Sequence, residues 1–318
     1  NPRFKDLPDF ILGITKEIWE DRGIATLHHY YGERLAVRSP ASVVVGNTNV
    51  IAATMATLAE FPDRTLLGED VIWLGNEDEG FLSSHRLLST ATHSGDGAYG
   101  RASGRKLSYR IIADCAAREN QIYDEWLVRD QGAIVRQLGI DPKRYAADRI
   151  AAEGGPDNCI KPLTPKTDVA PTYVGRGNDN EWGRRYADLV TRIMAADFAA
   201  IPKIYDRALQ LETPGGVTGH GWDAADRFWL GLRSAFPSAE FRIDHVIGRD
   251  DPTMPPRAAL RWSLWGRHDG FGAFGEPTHA QVYILGMSHA EFGPWGLRRE
   301  WVLYDETAIW KQIVMKTG

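Results

Sequence analysis

The run Thr92-His93-Ser94-Gly95-Asp96-Gly97-Ala98-Tyr99-Gly100 returns later in the chain as Arg267-His268-Asp269-Gly270-Phe271-Gly272-Ala273-Phe274-Gly275. The spacing, 175 residues, also carries Glu125, Trp126 and Asp130 onto Glu300, Trp301 and Asp305. At the same spacing Phe61-Pro62 meets Phe236-Pro237, Arg86 meets Arg261, Gly46 meets Gly221 and Tyr30 meets Tyr205. Matches this scattered at one ungapped spacing point to duplication. A period this long is too large for a solenoid unit and fits a repeated domain. The chain therefore reads as two copies of one fold, residues 1–140 and 181–318, joined by a Pro/Gly-rich connector over 141–180.

A length of 318 residues agrees with two domains, and 43% hydrophobic with 25% charged residues is ordinary globular composition. A net charge of −5 argues against a nucleic-acid surface, which needs clustered Lys and Arg. No apolar run approaches the roughly 20 residues of a membrane helix, and Asn1 to Asp6 lack an apolar signal core. Cys115 and Cys159 fall in different regions and do not match each other in the repeat. Two free thiols in a reducing cytoplasm are the expectation.

Ile11, Ile14, Ile18 and Trp19 recur at helical spacing, so Phe10 to Arg22 reads as a helix with Asp9 as N-cap. Ile24 to Tyr31 reads as a second helix, Leu35 to Arg38 as a short strand, and Asn47 to Leu58 as a third helix. Leu66 to Leu74, Gly80 to Thr90, Lys106 to Cys115 and Gln121 to Arg129 are strand-like runs between Gly, Asn or Asp turns. Gln131 to Leu138 closes the copy as a helical turn. Helices followed by a meandering antiparallel sheet make an α+β class. In the second copy Phe241 to Ile247, Arg257 to Gly266, His279 to Gly286 and Leu297 to Tyr304 take the strand roles.

The order Phe61-Pro62-Asp63, Thr92-His93-Ser94-Gly95, Tyr99-Gly100, Ser103-Gly104-Arg105, Asp114, Asp124-Glu125-Trp126 and Asp130 resembles the SnoaL-like polyketide cyclase branch of the nuclear-transport-factor-like superfamily. The resemblance covers residues 10–140 well and 185–314 more loosely. It implies two tandem cones, each a curved antiparallel sheet wrapped around N-terminal helices, with a pocket at the open end. It also implies sheet-to-sheet pairing, here an intramolecular pseudo-dimer, with a further homodimer open. No metal or cofactor is implied, and the expected partner is a small-molecule substrate. The family hosts cyclases, isomerases, dehydratases, hydrolases and members with no chemistry, so fold does not give function.

By the same resemblance the acid–base aspartate lies four residues after the tryptophan, at Asp130 and Asp305. Strand alternation puts Trp126, Val128 and Asp130 on one face. A carboxylate beside an indole in a half-closed cone has a raised pKa. The alternative is that Asp130 caps the helix from Gln131. Asp114 matches a second acidic position and has His289 as its counterpart, and His85 has Leu260. His85 is a pocket acid–base candidate or a structural strand histidine. Tyr30 and Arg38, the latter matching Thr213, are candidates for substrate binding with Trp126. Tyr205, His220 and His289, with Asp305, are second-pocket candidates, and Asp244 and His245 are alternatives there. His93 and His268, beside turn glycines, read as loop-holding residues. Where the family often has a histidine before the tryptophan, this chain has Glu125 and Glu300.

The histidines lack His-x-x-x-His spacing, no phosphate-binding loop follows a strand, and no Gly-x-Ser-x-Gly elbow occurs. Three readings follow. The first is a cofactor-independent lyase, isomerase or cyclase on a small carbonyl or hydroxylated molecule. The second is a hydrolase with water between Asp114 and Asp130. The third is a non-catalytic binding or assembly module, with the tryptophan-rich second copy as a structural half whose indoles fill the cone or face the first copy.

Overall fold

The computed structural model describes residues 3–318, leaving Asn1 and Pro2, the start of the segment read for a signal core, outside the described residues. The first helix, α1 (Leu7–Thr15), begins earlier than its spacing suggests. Asp6, not Asp9, is the cap and accepts from the Asp9 N–H at 2.9 Å. Pro8 in the first turn needs no N–H partner there and is already set for helical φ. The helix runs into a π turn (Lys16–Glu20) that keeps Ile18 inside. The short α2 (Leu27–Tyr30) ends one residue before the expected Tyr31, which already belongs to a strand.

The first sheet comprises β1 (Tyr31–Ser39), β2 (Ser42–Val45), β3 (Thr65–Asn76), β4 (Gly80–Thr92), β5 (Lys106–Arg118) and β6 (Gln121–Arg129), ordered β2-β1-β6-β5-β4-β3. Helices α3 (Asn47–Glu60) and α4 (Gln131–Gln137) complete the domain. The second domain repeats it: α6 (Glu181–Met194) and α7 (Ile201–Ile204) precede β7 (Tyr205–Thr213) and β8 (Val217–His220), with α8 (Gly221–Ala235) after them. Then come β9 (Glu240–Arg249), β10 (Arg257–Arg267), β11 (Gln281–Gly293), β12 (Gly296–Leu303) and α9 (Glu306–Thr317), in the sheet order β8-β7-β12-β11-β10-β9. The meander is antiparallel as expected, but each sheet is mixed, because β1–β6 and β7–β12 run parallel. Among the described residues no helix is long and apolar enough to cross a membrane.

Pairing register refines the repeat. Arg38 lies beside Trp126 and Glu212 beside Trp301, so Arg38 corresponds to Glu212, not Thr213, and Tyr31, not Tyr30, corresponds to Tyr205. One residue is added in the β7–β8 turn, Pro214-Gly215-Gly216, against Pro40-Ala41 in the β1–β2 turn. Gly215 and Gly216 have φ of 91° and 70°, which a Cβ would oppose.

Both faces of each sheet are covered. One wraps the helices, and the other packs on the second sheet through Ile112 and Val128 against Leu285, Met287 and Leu303, and through Ile72 and Ala116 against Ile247 and Ala259. Charges cross this interface in a pseudo-symmetric pattern. Arg261 stacks on Trp126 at 3.7 Å and its equivalent Arg86 on Trp301 at 3.5 Å. Arg261 Nε donates to Asp114 at 3.0 Å, and Arg86 Nη1 to His289 Nδ1 at 2.8 Å. Since a guanidinium only donates, His289 Nδ1 accepts and its Nε2–H donates to Ser84 Oγ at 2.9 Å. Removing one partner of a buried pair strands the other charge. Arg261→Ala is therefore expected to cost about 3–5 kcal/mol in a urea melt, with Asp114→Asn in the same chain recovering much of the loss. A loss under about 1 kcal/mol in the single variant contradicts the pairing.

The connector is more structured than its composition suggests. Asp141 caps α5 (Pro142–Ala152), whose apolar side is short, Ala146 and Ile150, and therefore gives little periodicity. Glu153 accepts from Lys311 of α9 at 2.8 Å. Beyond it the chain is a strap. Leu163 N donates to Pro40 O at 3.0 Å, Asp168 meets Arg38 at 2.7 Å, and Gly177 bridges Val246 of β9.

Candidate functional site

Domain 1 encloses a cavity of about 300 Å³ between its helices and the cone face of its sheet. That face carries His85 and Leu87 of β4, Ile111 and Ala113 of β5, and Glu125, Leu127 and Arg129 of β6. Domain 2 fills the same space. At the 175-residue spacing Thr54 becomes Trp229, Leu87 becomes Trp262, Thr57 becomes Leu232 and Arg129 becomes Tyr304. Trp229 and Trp262 are wholly buried in one continuous core, their N–H groups donating to Tyr205 Oη at 3.0 Å and Ser288 Oγ at 3.2 Å. Of the two outcomes open for the second copy's tryptophans, Trp229 and Trp262 fill the cone, Trp301 faces the other domain, and Trp295 is exposed.

The cavity is polar at two levels. Glu125 lies opposite Cys115, and burial raises its carboxyl to about 7, offset in part by the Tyr31 hydroxyl and Cys115 thiol. Its Oε2 is buried without a hydrogen-bond partner. One level up, burial lowers His85 to about 4, so the ring is neutral at pH 7, with Nδ1 at 3.3 Å from Ser83 Oγ. Farther along, Arg129 and Arg64 line the wall, and Arg64 Nε donates to Tyr109 Oη at 3.0 Å. Glu125 and Arg129 are four positions apart on β6, about 13 Å along the strand. Half-buried Ser42 and Thr57, with exposed Ala53, form the rim.

Glu300 occupies the equivalent place in domain 2, accepts from Tyr205 Oη at 2.7 Å, and is held at about 7 by burial. Between its ordinary value near 4.5 and that raised value, the folded chain keeps a proton the unfolded chain has released, so stability falls as pH rises across this window. Glu300→Gln removes that penalty. Calorimetry is expected to find the variant level with wild type at pH 4 and more stable by roughly 3 kcal/mol at pH 8. A variant no more stable than wild type at pH 8 contradicts the ionisation argument.

Of the residues singled out by sequence, His85 faces the cavity, as does Glu125, noted there only as a departure from the family. Trp126, Asp130 and Asp114 lie on the opposite face, against domain 2. Asp130 caps α4 through Ala133 N at 3.1 Å and receives the N–H groups of Gly215 (2.9 Å) and Gly216 (3.1 Å). Burial raises it to about 6 even so. Arg38 is fully buried between Asp124 (2.5 Å) and Asp168 (2.7 Å), fastening the strap. Tyr30 packs edge-on to Phe10, and its hydroxyl donates to Glu17 at 3.2 Å.

In domain 2, Asp305 caps α9 through Thr307 N (2.8 Å) and Ala308 N (3.2 Å), and burial raises it to about 7. His289 is locked in the interface, and His220 is exposed before α8. His245 meets Tyr173 of the strap at 2.8 Å, with Asp244 lining the gap between the domains. His93 bridges Glu60 and Ser103, each at 3.0 Å, which holds its loop. The sequence carries a signal for Glu125: an acid repeated in the middle of two apolar strands is costly unless it has a task. Among the described residues no group of three His, Cys, Asp or Glu side chains is placed to hold a metal ion.

Residues 184–297 match the family model of the SnoaL-like domain. No curated protein matches the chain. Similar solved structures include IdmH of Streptomyces antibioticus, 20% identical over 42% of this chain and 98% of that one, TM-score 0.36. TsrD of Streptomyces laurentii is 18% identical over 42% and 93%, TM-score 0.36. A SnoaL-like polyketide cyclase of Agrobacterium tumefaciens is 17% identical over 42% and 99%, TM-score 0.34. Domain 1 repeats the strand order and the tyrosine–glutamate placement of the matched half, so the chain carries a SnoaL-like domain over residues 184–297 and, before it, a second copy of the same fold.

Proposed function

We propose that domain 1 is the working half of a cofactor-independent lyase, isomerase or cyclase acting on a small carbonyl-containing or hydroxylated molecule, and that domain 2 is its filled structural partner. The observation that carries this reading is Glu125: a carboxyl near 7 with one oxygen unpartnered, facing a cavity that its counterpart Glu300 lacks. As a carboxylate, Glu125 takes a proton from the carbon beside a carbonyl, and the electron pair moves to the carbonyl oxygen. The neutral His85 ring donates a hydrogen bond to that oxygen, while the Tyr31 hydroxyl donates to Glu125. Returning the proton to a different atom isomerises the substrate; attack of the enolate carbon on a second carbonyl carbon, whose C=O π bond breaks and whose oxygen takes the proton from Glu125, closes a ring.

The reading shifts the acid–base role from Asp130, whose oxygens are taken up by backbone N–H groups of both domains. Hydrolysis at a water shared by Asp114 and Asp130 has no support. Asp114 sits level with Trp126, four residues from Asp130, or about 13 Å. The test incubates the protein with a panel of small ketones, hydroxy ketones and β-keto acids in D2O and follows deuterium entering carbon by NMR. Exchange that Glu125→Gln removes, and Asp130→Asn spares, supports the assignment. Exchange indifferent to Glu125, or absent across the panel, moves the reading to a binding or assembly module.

A further inference from the structure

Arg64 and Arg129 stand together in the domain 1 cavity with no acid between them. Arg64 is buried, and its Nε donates to the Tyr109 hydroxyl. Arg129 Nε is buried without a hydrogen-bond partner. Among the described residues no carboxylate forms an ion pair with either, although most other interior arginines, such as Arg38, Arg86, Arg257 and Arg261, have one. The two charges sense each other: burial first, and Arg129's like charge, lower the pKa of Arg64. Burial alone pushes Tyr109 up, yet the pair of guanidinium groups outweighs it and brings the phenol down. Domain 2 has Ala239, Tyr304 and Ile284 at these three places, so the cluster belongs to the open cone alone.

A buried guanidinium beside a half-buried one of like charge is costly unless something of opposite sign completes them. We propose that Arg64 and Arg129 form an anion cradle, so that the molecule entering domain 1 carries a carboxylate or phosphate at one end of a compact apolar body. The opposite end then reaches Glu125 and His85 across the belt of Leu87, Ile111 and Leu127. This names the substrate class of the pocket proposed above and rests on that reading for its chemical end, whereas the anion end stands on the arginines. A guanidinium pair suits either a planar carboxylate or a phosphate.

The test is calorimetric and thermal-shift titration at constant ionic strength with inorganic phosphate, benzoate, 3-phenylpropionate and phenyl phosphate, against benzamide and 3-phenylpropionamide. Anions are expected to bind at least tenfold more tightly than the matched amides. Phenyl phosphate over phenylpropionate, or the reverse, tells phosphate from carboxylate. Arg129→Gln is expected to weaken the anions at least tenfold, with Arg129→Lys between the two. Ligand-free Arg129→Gln is expected to melt no lower than wild type, since like-charge repulsion is relieved; a merely structural arginine gives a lower melt. Glu125→Gln is expected to keep anion affinity within about threefold while losing deuterium exchange, so the cradle and the acid–base assignment fail separately. Amides equal to anions, no stabilisation by any anion, or affinity unchanged in both Arg129→Gln and Arg64→Gln overturns the cradle.

Discussion

Glu125→Gln is expected to reduce turnover by about 10²–10⁴, the range in which a positioned acid–base group contributes. The amide matches the carboxyl in shape and can still accept from Tyr31, but it takes no proton. The pH profile is the sharper readout. If Glu125 acts as the base, kcat/KM rises with pH and levels off above about 7, where the carboxylate prevails in the free protein. Stability moves the other way. The folded-state pKa lies above the ordinary 4.5, so ionising Glu125 between those values destabilises the fold. The variant is therefore expected to be inactive yet more thermostable than wild type at pH 8. Turnover within fivefold of wild type, or a profile whose rise is unmoved by the change, sinks the assignment. Burial raises Asp130 as well, so stability alone does not tell the two apart; turnover does, because Asp130→Asn is expected to leave it in place.

The repeat, the α+β class and the long meander strands were legible because they depend on local pattern: alternation, turn residues and a long-range self-match; the short β2 and the β7–β8 pair were not read as strands. The face of the sheet was not. Alternation groups Trp126, Val128 and Asp130 correctly, but it says which face is the pocket only when the other face meets water. Here β4, β5 and β6 are covered on both sides, by the cone and by the second sheet. A buried acid such as Asp114 and a cavity acid such as Glu125 then look alike in sequence. Register hid the tyrosines in a similar way. One extra residue in the Pro214-Gly215-Gly216 turn shifts β7 against the ungapped match, so Tyr30 took the place that pairing gives to Tyr31. Asp114 and His289, an acid and an imidazole at matching positions, are not pocket groups but the two ends of one interface, bonded to Arg261 and Arg86. The strap escaped because its order comes from backbone groups bonded to Pro40, Asp124 and Val246, which leave no periodic trace.

Exchanging the residues that differ between the cones separates the two domains' roles. Thr54→Trp places in domain 1 the indole that fills domain 2, at a position facing the cavity rather than a packed core. Filling existing space avoids the overpacking penalty of a close-packed site, so the melt is expected to hold or rise while ligand binding and turnover vanish. Trp229→Ala makes the opposite change. It removes a wholly buried indole and its bond to Tyr205, and a loss of about 3–5 kcal/mol is expected. A domain of this size has only about 5–15 kcal/mol in hand. Because Arg86, Arg261, Asp114 and His289 bind the sheets face to face, that loss should not stay in domain 2. A single cooperative transition at lower denaturant, with activity lost at the same point, is the expected result. If Trp229→Ala leaves domain 1 folded and active after domain 2 has melted, the second copy is not its support. If Thr54→Trp remains fully active, the cone of domain 1 is not where the chemistry happens.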